Sequence, residues 1–535
     1  MARWFVDRLP ERGIPSVSLR RLLPQAQFVG CADWEVSGCS DDHRRLDPGQ
    51  VFVASRGARP GYDGHAHVRE ALERGAAGVV VERHCPDAGR LQVVVDDAAA
   101  AHARICQALA GDPSQHLLAA AVTGSFGRTL ASVFVRSIFE AAGHRSGLVG
   151  ALGFFDGEGP HALGAAIRRP GVGPGRTRLD RTDTAFAPDA LSLAAMMAEM
   201  VDRGCEAAVL EASAEAIEHR AFAGIDLHAA LVTDVSAPWG FPEEVRLERR
   251  RAKARLVRQV VPGGVVIVNA DDPNAEILGG VNLDADRLSY AMEPAARPDR
   301  SADVTGRIVR LDADGTRMIV RGLDREIIVD LRPVGPRAAA CALAAAAMAR
   351  ALEIDAETIA IGLERVAPVA GRLESINEGQ DFDVRVDAAE TPEAIAEALI
   401  AARAVAAGRV HCVVGAEGGS PADHRRRIAE AVEACADRIV LTSHNPRSED
   451  PDQILDHLLA GFRRPGKVRL EPDRRRAIET VLSEARPGDA VLIVGKGRHT
   501  YQILADRAVP FDDVAIARDW LRRHARPIRP VTRSA

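Results

Sequence analysis

Aromatic residues make up only 4% of the 535-residue chain, and none of its eight cysteines sits in C-x-x-C spacing. In a chain this long, scattered cysteines point to free thiols in a reducing cytoplasm rather than to a disulfide frame or a zinc site. No run of about 18 uncharged apolar residues occurs, so no membrane span is expected. The opening stretch MARWFVDRLPERG lacks the apolar core of a secretory signal. Positive charge is not in excess: the formal net charge is -6, which excludes a nucleic-acid-binding polycation. The basic runs RLERRRAKARLVR (from Arg246) and HRRR (from His424) also lack the interleaved aromatics that stack on bases. What is present is hydrophobic content of 47%, ample for several cores. At roughly 150 residues per domain, three or four domains are expected.

The punctuation of the chain divides it into three α/β segments without an internal repeat. Residues 1–112 hold the short strands DPGQVFVAS and LQVVVDD and the helix-then-strand HVREALERGAAGVVVER. Residues 113–334 open on the strand LLAAAVTG and continue with AAVLEAS, LHAALVTDV and GGVVIVNADDP. Helical stretches between these strands predict a parallel sheet with right-handed crossovers. Residues His161 to Arg181, rich in Gly, Pro and Arg, read as a loop. The alternating stretch from Asp303, with its Asp314-Gly315 turn, predicts a hairpin in a small antiparallel sheet that closes the segment. Residues 335–535 begin with an Ala-rich helix, followed by strands and helices in a Rossmann-like order.

The stretch TGSFGRT (Thr123 to Thr129) carries the chemistry. A strand, a Gly-rich turn and a helix start are the layout of a phosphate loop, whose backbone N–H groups cradle an anion. Gly124, Ser125, Gly127 and Thr129 stand in place, while Arg128 occupies the position of the usual Lys. Arg keeps the charge but is longer and planar, so the exchange is not neutral.

In order along the chain, DHRRLDPGQVFVASRGARPGYDGH, GDPS, the Gly-rich loop, LEAS, RRAKARLV, NADDP, GRLE, TSHNPRSEDP, PDRRRAI and VGKGRHTYQ resemble the motifs of the Mur ligase family. The likeness covers nearly the whole chain and is strongest to the MurE-type branch, which adds a diamino acid to UDP-N-acetylmuramoyl-L-alanyl-D-glutamate. It implies a three-domain α/β architecture: a UDP-sugar-binding N-terminal domain (1–112), a central ATP-binding domain (113–334) and a Rossmann-like amino-acid-binding domain (335–535). It implies ATP and Mg2+ as cofactors, a UDP-N-acetylmuramoyl peptide and an amino acid as partners, and a cytoplasmic monomer. Arg128, Thr129, Glu211 and Lys253 are then catalytic. Gly124, Ser125, Gly127, Arg128, Thr129, Asn269, Asp272 and Arg372 bind the nucleotide. Thr129, Glu211 and a carbamylated Lys253 hold metal. Asp42, Arg44, Ser213, Arg220, Asn445, Arg447, Gly495 and His499 bind substrate.

Departures from the family pattern fall on the chemistry. Besides Arg128, Phe126 replaces an Asn, and TDVSAPWGF replaces a stretch bearing a His and two acids. SAEA puts Glu215 where a His is expected, FAP (from Phe186) replaces T-T-P, and GPRAAAC lacks two Asn. DAAETP lacks a Tyr and a His, and His444 and His499 replace two acids. A pocket of His and Arg instead of acids disfavours a second ammonium, so diaminopimelate and lysine are expected to be poor substrates. Two functions remain open: a divergent ATP-dependent ligase of peptidoglycan precursor synthesis, or a catalytically impaired relative with a binding or regulatory role.

Overall fold

The computed structural model describes residues 16–56, 62–86, 89, 91–158, 160–161, 187–236, 243–281, 284–293, 302–505 and 507–524. The loop expected at His161 to Arg181, Phe186 and the end of TDVSAPWGF lie largely outside them.

Three large sheets follow one another along the chain. The N-terminal sheet has five strands in the order Gln27–Val29, Gln92–Val94, Gly78–Val81, Val51–Val53 and Cys39–Ser40. All its pairings are parallel except the first. Helix Ala98–Leu109, capped by Asp97, covers one face. The central sheet has eleven strands, and its middle six, from Ser146–Gly150 to Asp286–Met292, pair in parallel. Strands Leu118–Thr123 and Ala207–Ala212 are buried along their whole length, as expected where helices cover both faces of a parallel sheet. The C-terminal sheet has six strands, parallel but for its first pairing.

Register places the chemistry. Thr123 pairs with Ala212 on one side and Val232 on the other, and Val232 pairs with Val268. Gly124, Glu211, Asp234 and Asn269 therefore gather at the carboxyl edge of one sheet, where open α/β folds bind ligands.

Two expectations need correction. The hairpin strands Val304–Asp312, Gly315–Arg321 and Ile327–Leu331 do not form a separate small sheet. Val304–Asp312 pairs in parallel with Asp286–Met292, so the antiparallel strands extend the central sheet. Second, the Ala-rich helix Pro336–Ala351 belongs to the core of the central sheet, although the boundary was expected at residue 335. It packs on helix Arg128–Ala141, and that shared core runs on to Val369. Alanine side chains let two helix axes approach closely, and a helix apolar on every side does not show in sequence which sheet it joins.

Candidate functional site

The loop between strand Leu118–Thr123 and helix Arg128–Ala141 needs its glycines. Gly124 has φ +148°, and a Cβ there would lie 1.9 Å from Thr233 Oγ1. Gly127 has φ +77° and faces Cys341 Sγ. With these bends the loop brings Ser125, Phe126, Arg128 and Thr129 into one cleft with Arg337, Arg372, Glu390, Glu397 and His499. The cleft lies between the central and C-terminal domains and encloses about 210 Å³.

On one flank of the loop, Thr129 Oγ1 donates to Glu211 Oε2 at 3.0 Å, and Ala151 N donates to Glu211 Oε1 at 3.1 Å. Glu211 is 4% exposed, and burial raises its carboxyl above the usual range, against the pull of Arg128 and Thr129. Arg372 Nη2 reaches Thr129 Oγ1 at 3.5 Å. A hydroxyl and a buried carboxylate side by side are hard oxygen donors of the kind Mg2+ takes alongside phosphate and water. The residues fit that ion.

Arg128 lies folded back, donating from Nη1 to the Gly124 carbonyl, while its buried Nε has no partner. Burial pushes its guanidinium down from its ordinary value, and the carboxylates of Glu211 and Asp234 oppose that shift. A planar donor with spare N–H capacity suits a phosphate oxygen.

The other flank is occupied by Asp234, which was not among the expected site residues. Ser125 N donates to its two carboxylate oxygens at 2.9 and 3.0 Å, and Phe126 N donates to Oδ2 at 2.9 Å. These are loop N–H groups of the kind that cradle a phosphate. The signal in the sequence was the position of Asp234, two residues past the end of strand Leu227–Val232 at the ligand-binding edge.

Lys253 secures this flank. It is 1% exposed, and Nζ donates to Ser236 O at 2.8 Å and Ser125 Oγ at 2.9 Å. The carbonyls of Asp234 and Val235, at 3.2 and 3.3 Å, and Asp234 Oδ1, at 3.3 Å, complete the shell. Burial lowers its ammonium from the ordinary value, with Asp234 opposing. Five oxygen acceptors fit an ammonium; a carbamate would set its own oxygens against three carbonyls. As an unmodified ammonium, Lys253 ties the loop at Ser125 to residues 234–236.

Asn269 and Asp272 also act through the loop. Asn269 Nδ2 donates to Thr233 O at 2.9 Å, and Asp272 accepts from Val235 N and, at 3.1 Å, from Ser236 Oγ. They hold residues 233–236 rather than facing the cleft directly. Near the loop, the Arg337 guanidinium sits 5.1 Å from the centre of the Phe126 ring.

In the C-terminal domain, the residues expected to bind substrate are largely engaged with neighbouring side chains and backbone. Asn445 Oδ1 accepts from Lys496 Nζ at 2.9 Å and Ile503 N at 3.1 Å. Arg447, at φ +54°, places its guanidinium on Glu417 Oε1 at 2.9 and 3.1 Å. Gly495 has φ +113° and lies against the His444 ring. Burial, helped by Lys496, holds His444 well below its ordinary value and brings His499 down to about 4. Glu390 Oε1 lies 3.7 Å from His444 Nε2, and burial pushes its carboxyl up to about 8.

The remaining expected residues lie away from the cleft. Asp42 and Arg44 form a two-pronged pair at 2.9 and 3.0 Å in the N-terminal domain. Close by, His43, Tyr62 and His67 stack. Arg220 Nε binds Asp97 Oδ2 at 2.6 Å across the seam between the first two domains. Ser213 caps the short helix Ala214–Glu218.

Comparison with known proteins agrees with this geometry. The family description "Mur ligase middle domain" matches residues 122–349, and "Mur ligase, glutamate ligase domain" matches residues 371–497. A UDP-N-acetylmuramoyl-L-alanyl-D-glutamate--2,6-diaminopimelate ligase of Parabacteroides distasonis is 31% identical over 92% of this chain and 96% of its own. A UDP-N-acetylmuramyl-tripeptide synthetase of Roseiflexus is 34% identical over 90% of this chain and 94% of its own. Among solved structures, a 2,6-diaminopimelate ligase aligns with TM-score 0.64 and 23% identity over 96% of this chain and all of that one. Mycobacterium tuberculosis folylpolyglutamate synthase complexed with ADP aligns with TM-score 0.59 and 17% identity, over 74% of this chain and 92% of that one. At these identities, the structural likenesses show the fold.

Proposed function

Because the chain belongs to the Mur ligase family, we propose that it is an ATP-dependent ligase joining an amino acid to a UDP-N-acetylmuramoyl peptide in peptidoglycan precursor synthesis. The observation that carries this reading is the meeting of Thr129, Glu211 and Arg372 across two domains at the loop. In such a reaction a substrate carboxylate attacks the γ-phosphoryl group of ATP, and an amine then displaces phosphate from the acyl phosphate to leave an amide. Phosphoryl transfer depends on positioning and on positive charge at the oxygens. Arg128 and Arg372, both at the loop, supply that charge. Thr129 and Glu211 would hold Mg2+, which draws charge from the phosphate oxygens. The cleft walls from the C-terminal domain, including Arg372, Glu390 and His499, would shelter the acyl phosphate from water.

The second reading is a catalytically impaired relative with a binding or regulatory role. In the ligand-free structure the Asp234 carboxylate accepts the Ser125 and Phe126 N–H groups. The experiment combines Mg-ATP, UDP-N-acetylmuramoyl-L-alanyl-D-glutamate and a pool of amino acids, following phosphate release and product mass. A new amide product absent with Arg128→Ala supports the ligase, and its mass identifies the amino acid. A folded protein that binds the UDP-sugar but yields neither phosphate nor product supports the second reading.

A further inference from the structure

Three metal-ligating side chains meet in the N-terminal domain, outside the cleft. Cys39 comes from the edge strand Cys39–Ser40, and His102 and Cys106 sit on helix Ala98–Leu109. Their i, i+4 spacing sets His102 and Cys106 on one helix face. Cys39 Sγ and Cys106 Sγ are 3.7 Å apart, and Cys106 Sγ is 3.5 Å from His102 Nε2. All three are buried, with exposures of 7%, 6% and 2% for Cys39, His102 and Cys106. Tetrahedral zinc, with Zn–S of about 2.3 Å and Zn–N of about 2.0 Å, spaces two sulfurs about 3.8 Å apart and sulfur from nitrogen about 3.5 Å apart. Both observed distances match. A disulfide would need the sulfurs at about 2.05 Å, and both thiols are free.

We propose that Cys39, His102 and Cys106 bind a Zn2+ ion through Sγ, Nε2 and Sγ, leaving the fourth corner to water. Asp41 Oδ2 lies 3.8 Å from His102 Nδ1. A carboxylate beside the far ring nitrogen orients a ligating imidazole and leaves Nε2 for the metal. The ion would pin helix Ala98–Leu109 to the segment that carries Asp42 and Arg44. The same core takes in Ala190, Ala194 and Ala198 of the central domain's helix Ala190–Asp202, so the site also lies near the domain seam. C-x-x-C spacing could not reveal it, because Cys39 lies 67 residues before Cys106.

The test measures zinc in the full chain purified without chelator, and cobalt uptake after zinc removal. The expected result is one zinc per chain and a thiolate-to-cobalt charge-transfer band, both lost in Cys39→Ser and Cys106→Ser and kept in Cys435→Ser. Asp41→Asn retains the ligands and the fold, and is expected to weaken zinc binding about tenfold. Three results would each overturn the proposal. They are a folded wild type with no zinc and no cobalt band, unchanged metal in the Cys39→Ser/Cys106→Ser double variant, or a Cys39–Cys106 disulfide in the native protein.

Discussion

Each flank of the loop 124–129 carries a carboxylate, and the two are employed differently. Glu211 receives one hydroxyl and one backbone N–H, at 3.0 and 3.1 Å. Asp234 receives two loop N–H groups and the Lys253 ammonium. A carboxylate with few internal donors keeps lone pairs for a cation. One whose donors are the anion cradle itself stands where a phosphate would, so the loop has one flank ready for metal and one filled from within.

Breaking the filled flank should have the largest effect. Lys253→Met removes the cation from Asp234 and leaves a partly buried charge and several carbonyls without their donor. A loss of about 3–5 kcal/mol is expected, read as a lower urea midpoint. An unchanged midpoint would mean that the tie carries no stability.

The open flank is tested by Arg128→Ala, which should lower phosphate release about 10²–10³-fold. Full activity in that variant would show that Arg372 alone supplies the charge.

Sharpening the contrast needs Asp234→Asn. Removing a competing charge from the Ser125 and Phe126 N–H groups should tighten Mg-ATP binding about tenfold, since a hydrogen bond to a charged group contributes about 1.5 kcal/mol or more. Weaker binding on titration calorimetry would mean that Asp234 shapes the cradle instead of filling it.

The smallest effect concerns pH. Burial raises the Glu211 carboxyl, so its folded-state stability contribution is present at acid pH and fades as pH rises through the raised value. Metal binding has the opposite sign, because Mg2+ takes the carboxylate. Mg2+ affinity should fall with decreasing pH, starting above the range where an ordinary carboxylate titrates. A titration flat down to pH 5 would remove Glu211 from the metal site.

Much of this site could be read from sequence because its residues follow strand ends. Gly124 and Gly127 need φ values that glycine adopts freely, and Glu211 and Asn269 close apolar runs. Asp234 sits at an equally telling position, but its partners are loop N–H groups, which every residue type offers. Lys253 lies in a run of charges that reads as a solvated face, yet it is 1% exposed. Nothing local distinguishes it from Arg250 or Arg251.

By itself the sequence determined the strand and helix order, the loop and its glycines, and membership of the family. Those follow from periodicity, backbone sterics and the order of motifs, all of which act over short stretches. Only the tertiary structure decided that helix Pro336–Ala351 joins the central core, that Asp234 meets the loop N–H groups, and that Cys39 meets His102 and Cys106. Each of these rests on a contact between distant segments. The chain's pattern encodes such contacts only through burial of faces, which does not say which face meets which.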